Sequence, residues 1–202
     1  MSEFQRPAPL DVKCTSADCE NELHCFKQLQ KMTEDQRGKC RYCGADLVDW
    51  NRLHVRDFGD VAYTFAALKN EMIRHYFFHK QIDEKAVRHA QRKGRILLYE
   101  AARHRLAKYL APAKPARDGR QTPYEGNAIF YAQHATATCC RTCLEYWHDI
   151  PKGRELTVEE LAYCASLVDF FLEERLPDLA DAPIPVPYMR RGSRRRAGRA
   201  LA

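Results

Sequence analysis

The chain has 202 residues, 45% hydrophobic and 30% charged, a balance that suits one or two folded domains and excludes wholesale disorder. No apolar run approaches the ~18 residues of a membrane span, and the polar start Met1 to Pro9 lacks a secretion core, so a cytoplasmic location is expected. In that reducing compartment nine cysteines, an odd number, read as metal ligands and not as a disulfide framework. The formal charge of +6 equals the six arginines between Arg190 and Ala202, so the rest of the chain is neutral but polarised. Residues 83–108 carry eight Lys/Arg against Asp83, Glu84 and Glu100, while residues 145–181 carry ten Asp/Glu against Lys152, Arg154 and Arg175. Two readings follow: a basic helix that binds nucleic acid, or two helices of opposite charge that pack together or face solvent.

In chain order, residues 1–12 look extended, and residues 13–44 form a cysteine-rich module, taken with its flank as a zinc-ribbon-like unit over residues 1–56. Asp60 to Lys80 reads as one helix, with Val61, Phe65, Leu68, Met72 and Tyr76 on one face. Asp83 is a plausible N-cap for a second helix that runs to Leu110 and is weakened at Gly94. Pro112 and Pro115 end it. Two short helices, Asn127 to His134 and Cys140 to Asp149, flank the segment His134-Ala-Thr-Ala-Thr. Thr157 and Glu160 form a capping box for a last helix to about Leu176, stopped by Pro177. The expected fold class is mainly α: a helical bundle over residues 57–176, preceded by the ribbon-like module and followed by a disordered basic tail over residues 177–202.

In the first module the spacing is Cys14-x4-Cys19, then twenty residues, then Cys40-x2-Cys43-Gly44. Two short Cys-x(2–4)-Cys turns separated by a ribbon-length segment give the tetrahedral sulfur set that zinc prefers, and Gly44 permits the knuckle turn. The expected ligands are Cys14, Cys19, Cys40 and Cys43, with Cys25 buried. Four thiolates leave no open position, so this zinc would hold the fold. His24 is a further ligand type in the same span, and on a strand it faces away from Cys25.

The second cluster is His134-Ala-Thr-Ala-Thr-Cys139-Cys140-Arg-Thr-Cys143-Leu-Glu-Tyr-Trp-His148. On a helix Cys143 shares a face with Cys139 and with Cys140, and His148 lies near the far end. His134, Cys139, Cys140, Cys143 and His148 are therefore candidate ligands of a second zinc, with an iron–sulfur cluster as the alternative occupant and plain packing as the bland reading. Gly119-Arg-Gln-Thr-Pro, Ala132-Gln-His-Ala-Thr-Ala-Thr-Cys-Cys140, Cys143-Leu-Glu, Trp147-His148 and Ile150-Pro-Lys-Gly-Arg-Glu-Leu-Thr157 together resemble a bacterial family classified as domain of unknown function 4186. The resemblance covers roughly residues 93–176. It implies a compact helical module and no particular activity, and it does not include the first cysteine module.

Other signals are weaker. Glu71, His75 and His79 recur at spacing four, Glu145-x-x-His148 is half of a di-iron motif, and Ile150-Pro-Lys-Gly153 resembles a phosphate-holding hairpin. The leading expectation is a zinc-stabilised protein associated with nucleic acid through residues 83–108 and the arginine tail. The alternatives are a metal- or thiol-dependent enzyme using the second cluster, with Glu145 as a proton carrier, and a structural adaptor for protein partners.

Overall fold

The structure, a computed structural model, describes residues 12–187. It contains seven α-helices among those residues: α1 Trp50–His54, α2 Val61–Lys69, α3 Met72–His79, α4 Glu84–Tyr109, α5 Ala128–Ala135, α6 Arg141–His148 and α7 Val158–Arg175. α5 packs against both α3 and α7, and α7 packs against the long α4. One hydrophobic core joins Phe26, Cys40 and Leu53 of the N-terminal segment to Leu98, Leu144 and Phe171 of the helices. None of the helices is long and apolar enough to cross a membrane.

The caps form where the sequence places them. Asp83 accepts the Ala86 amide at 2.9 Å, and its other oxygen accepts from Gly126 N and Tyr131 Oη, which ties the start of α4 to the α5 entry. Thr157 and Glu160 close a reciprocal capping box at the start of α7.

Three expectations are corrected. The ribbon-like module has no strands among the described residues: it has 3-10 turns and two isolated bridges, Asp18 with Leu23 and His24 with Glu71. The helix expected from Asp60 to Lys80 breaks into α2 and α3, because the His24 backbone inserts there, donating to Asn70 O at 2.8 Å and accepting from Met72 N at 2.9 Å. Glu71 becomes extended at that point (φ −90°, ψ 124°), which turns its carboxylate inward. The tail expected over residues 177–202 begins as a docked strap: Arg95 N donates to Ala180 O and Ile184 N to Gln91 O. Residues 188–202, with the arginine tail, lie outside the described residues.

The strap explains Gly94. Its φ of +69° interrupts α4, and a Cβ there would lie 2.5 Å from Ala182 C and from Asp181 O. Only glycine offers both the left-handed backbone and the room for a second chain. The charge polarity has a packing role too. Arg103 pairs with Asp169 at 2.5 Å, Tyr99 donates to Glu173, and Arg95 pairs with Asp181.

The carboxylate of Glu71 and the guanidinium of Arg74, both buried, form the deepest ion pair, with Nε to Oε2 at 2.9 Å. Glu71 also accepts from Phe26 N, Tyr146 Oη and Trp147 Nε1. Burial pushes the Glu71 carboxyl up, and Arg74, Trp147 and Tyr146 pull it back. Arg74 stays charged: burial opposes its charge, but Tyr146, Cys143 and Glu71 outweigh it and hold it well above its ordinary value. With four donors on the carboxylate, the ionised pair is the state that leaves fewest groups unsatisfied. It fastens the N-terminal segment to α3 and α6, and Phe26, Trp50 and Trp147 pack around it with ring centroids 5.2 to 5.9 Å apart.

Arg74→Met is expected to lower stability by about 3–5 kcal/mol, because it strands a buried carboxylate, and Glu71→Gln in the same chain should restore part of the loss. Urea unfolding of the single and double variants measures this, and equal stability of Arg74→Met and the parent would contradict it. Gly94→Ala should cost about 1–3 kcal/mol and release the strap, seen as faster proteolytic cleavage within residues 177–187.

Candidate metal centres

Among the described residues two groups of side chains are placed to hold a metal ion, Cys19, His24, Cys40 and Cys43, and Cys139, Cys140 and Cys143. Within each, the ligand atoms all lie within 4.8 Å of one another.

The first group is built by two turns. Cys19 opens the 3-10 turn Cys19–Asn21. Cys40 and Cys43 form a knuckle in which Gly44 N donates to Cys40 O at 2.8 Å, with Gly44 at φ +76°. The Sγ atoms of Cys19 and Cys40 are 3.7 Å apart, and Cys43 Sγ is 3.4 Å from His24 Nδ1. Burial alone would raise the Cys40 thiol, but the amides of Cys25, Cys43 and Tyr42 and the His24 side chain outweigh it and bring it to about 6. Burial first, then hydrogen bonds to Cys43 and Cys40, pushes Cys19 up to about 12. A knuckle aims its amides at one sulfur, so without a cation one thiolate forms at the expense of its neighbours.

The expected ligand Cys14 is not in this group, and His24 stands in its place. The reason is the backbone pairing of His24 with residues 70–72, which aims His24 at the knuckle and buries Cys25, as expected of alternating residues. Cys25 Sγ donates to Cys14 O at 3.5 Å. The Cys14 thiol is raised by burial and lies within the electrostatic reach of Arg74, Cys143 and Glu71, on the side of the second group.

The second group depends on the threonines of the loop before it. Thr136 Oγ1 donates to Ala132 O, Thr138 N to Gln133 O, and Ala137 adopts φ +54°, so the chain doubles back after α5. Thr122 Oγ1 then holds Cys139 O at 2.9 Å. Cys140 is the N-cap residue of α6, and Cys143 sits one turn in. Cys143 Sγ is 3.5 Å from both Cys139 Sγ and Cys140 Sγ. Arg74 Nη2 donates to it at 3.1 Å. Hydrogen bonds from Cys139 and Cys140, and then Arg74, hold the Cys143 thiol well below its usual range against burial, while Cys139 is pushed well above. The most acidic of the three sulfurs therefore faces the buried Arg74 guanidinium.

The two expected histidines stand apart from the three thiols. His148 is fully satisfied: its Nε2 faces Thr136 O at 2.9 Å and its Nδ1 faces Tyr163 Oη at 3.2 Å. His134 is stacked between Phe77 and Tyr124, at 4.6 and 4.8 Å between centroids, with Nε2 3.2 Å from the carbonyls of Thr122 and Pro123. Burial lowers both imidazoles to about 4, so both are neutral. Glu145 is at the surface in an ion pair with Lys152. His79 and His75 contact each other, and Glu71 faces the other way into the core. Arg74 went unread in the sequence, since one arginine among the apolar residues of a helix carries no spacing signal for a thiol group some 70 positions away.

No solved structure matches this chain. A family model described as a domain of unknown function, DUF4186, matches residues 62–173, which takes in Arg74, the second group and helices α3 to α6 but not the first group. The match begins well before the segment that carries the motif resemblance and covers more than half of the chain, so this protein belongs to the DUF4186 family.

Proposed function

We propose that this chain is a zinc protein that binds single-stranded nucleic acid beside its N-terminal metal knuckle. The observation that carries the reading is a cleft of about 560 Å³ at the knuckle, lined by Leu29, Lys31, Met32, Lys39, Arg41 and Tyr42 among others. Tyr42 is 60% exposed, yet its hydroxyl donates to Thr15 O at 2.7 Å, so the ring is presented and held. The Arg41 guanidinium lies 5.3 Å from the ring centroid. A fixed aromatic face flanked by cations is the combination that stacks a base and tracks a phosphate backbone. The basic helix α4 is a poorer candidate than its charge implies, since Arg88, Arg95 and Arg103 are engaged with Glu84, Asp181 and Asp169.

Zinc is favoured by distance. A Zn–S bond of about 2.3 Å makes a tetrahedral sulfur–sulfur edge of about 3.8 Å, and a sulfur–nitrogen edge of about 3.6 Å. Cys19 and Cys40 at 3.7 Å, Cys43 and His24 at 3.4 Å, and Cys143 at 3.5 Å from Cys139 and from Cys140 approach those edges, and the remaining pairs lie within 4.8 Å. An iron–sulfur cluster spreads its thiolates over several irons, and those on different irons stand farther apart than the edge of one ion's tetrahedron. Cysteine and histidine ligands with no carboxylate also suit zinc. The second group, with all three thiols buried against Arg74, is read as structural.

Fluorescence anisotropy with a labelled single-stranded oligonucleotide should give binding that weakens steeply with salt and survives, reduced, when residues 190–202 are removed. Tyr42→Ala should cost about 1–3 kcal/mol of binding. Absence of binding at low salt, or binding indifferent to Tyr42→Ala, would sink the proposal. For the knuckle itself, His24→Ala should release one zinc per chain by mass spectrometry, while Cys14→Ser should keep it, and the reverse outcome would restore Cys14 to the ligand set.

A further inference from the structure

Three cysteines leave a tetrahedral ion one ligand short, and the group Cys139, Cys140 and Cys143 has three. Joined to it through Arg74 is a buried imidazole with one polar atom that has nothing to bond: His134 Nδ1 has no hydrogen-bond partner among the described residues. We infer that His134, through Nδ1, is the fourth ligand of a metal ion held by Cys139, Cys140 and Cys143. The inference rests on the second group holding a metal, and it is independent of nucleic-acid binding.

Two connections bracket His134 against the thiols. The Arg74 guanidinium that donates to Cys143 Sγ also donates through Nη1 to His134 O, and the same Nη1 lies 3.9 Å from Cys139 Sγ. Thr122 donates its hydroxyl to Cys139 O, while its own carbonyl accepts from His134 Nε2. The tautomer is fixed by that second link. With two carbonyls facing Nε2, the proton resides there and the lone pair resides on Nδ1. A ring N–H held on a backbone carbonyl is the arrangement that orients metal-binding histidines.

An unpaired buried nitrogen costs free energy unless something takes up its lone pair. A metal ion does so, whereas the apolar stack of Phe77 and Tyr124 does not. His148 lacks this feature, because both its nitrogens are already bonded. The His134 ring stands outside the 4.8 Å set, so metal binding draws ring and thiols together. The completed centre has three thiolates, one imidazole and no open position. Arg74 offsets its excess negative charge.

Cys14 is the competing fourth ligand, since its partly buried thiol feels the charges of Cys143 and Arg74. The experiment uses the full chain, purified without oxygen and loaded with cobalt(II) in place of zinc, with metal content and the visible spectrum read together. The parent should hold two cobalts. His134→Ala should hold the second at least about tenfold more weakly against a chelator. His134→Cys should keep both and gain thiolate-to-cobalt charge-transfer intensity, a gain that a purely structural role for His134 would not produce. It also carries the test if His134→Ala fails to fold. Cys14→Ser should leave the spectrum unchanged. Two tightly held metals in His134→Ala, unchanged intensity in His134→Cys, or loss of the second metal in Cys14→Ser would overturn the inference. One metal in the parent would overturn the second centre as a whole.

Discussion

The buried pair Glu71–Arg74 is the contact on which the rest of this structure depends. Its carboxylate collects the Phe26 amide, the Tyr146 hydroxyl and the Trp147 indole, and its guanidinium collects Cys143 Sγ and His134 O. A buried charge is tolerated only when nearly every lone pair and N–H finds a partner, so this pair dictates where four chain segments meet. It also explains the break between α2 and α3. The extended conformation of Glu71 leaves Asn70 O and Met72 N free to pair with the His24 backbone and turns the carboxylate inward.

The two candidate centres are therefore neighbours through one residue. The Glu71 backbone pairs with His24 of the first group, and its side chain holds the arginine that faces the second. Each group has the same electrostatic character. Clustered thiols cannot all ionise without a cation, and one sulfur in each is held low, Cys40 by knuckle amides and Cys143 by thiol donors and Arg74. A divalent cation would resolve both clusters in the same way, by ionising the remaining thiols. The family match covers the second group and the arginine but not the first, so the knuckle with its cleft lies outside the matched region.

Much of the fold was legible from local rules. Asp83 and Thr157 cap helices as their side chains predict, and the apolar spacing of residues 158–175 gives α7. The cysteines of both clusters were readable from spacing, because Cys-x2-Cys and the α6 face are short-range patterns. What stayed hidden was long-range. The placing of His24, and not Cys14, beside the knuckle sulfurs depends on a backbone bridge between residues 24 and 71, and nothing in the local sequence specifies it. The docking of residues 177–184 on Gly94 was hidden for the same reason: a glycine in mid-helix signals weakness, and the strap that needs it is over eighty residues away. The polarised charge was visible, but its use in pairing α4 with α7 and with the strap was one of two readings that composition could not separate.

The central claim is that two metal ions brace this fold, one at Cys19, His24, Cys40 and Cys43 and the other at Cys139, Cys140 and Cys143. Anomalous diffraction recorded on either side of the zinc absorption edge, from crystals of the protein purified without chelator, tests it most directly. The account predicts two peaks, one centred in each group, that vanish below the edge. A single peak at the knuckle, or density joining cysteine sulfurs into disulfides in place of the second peak, would contradict it.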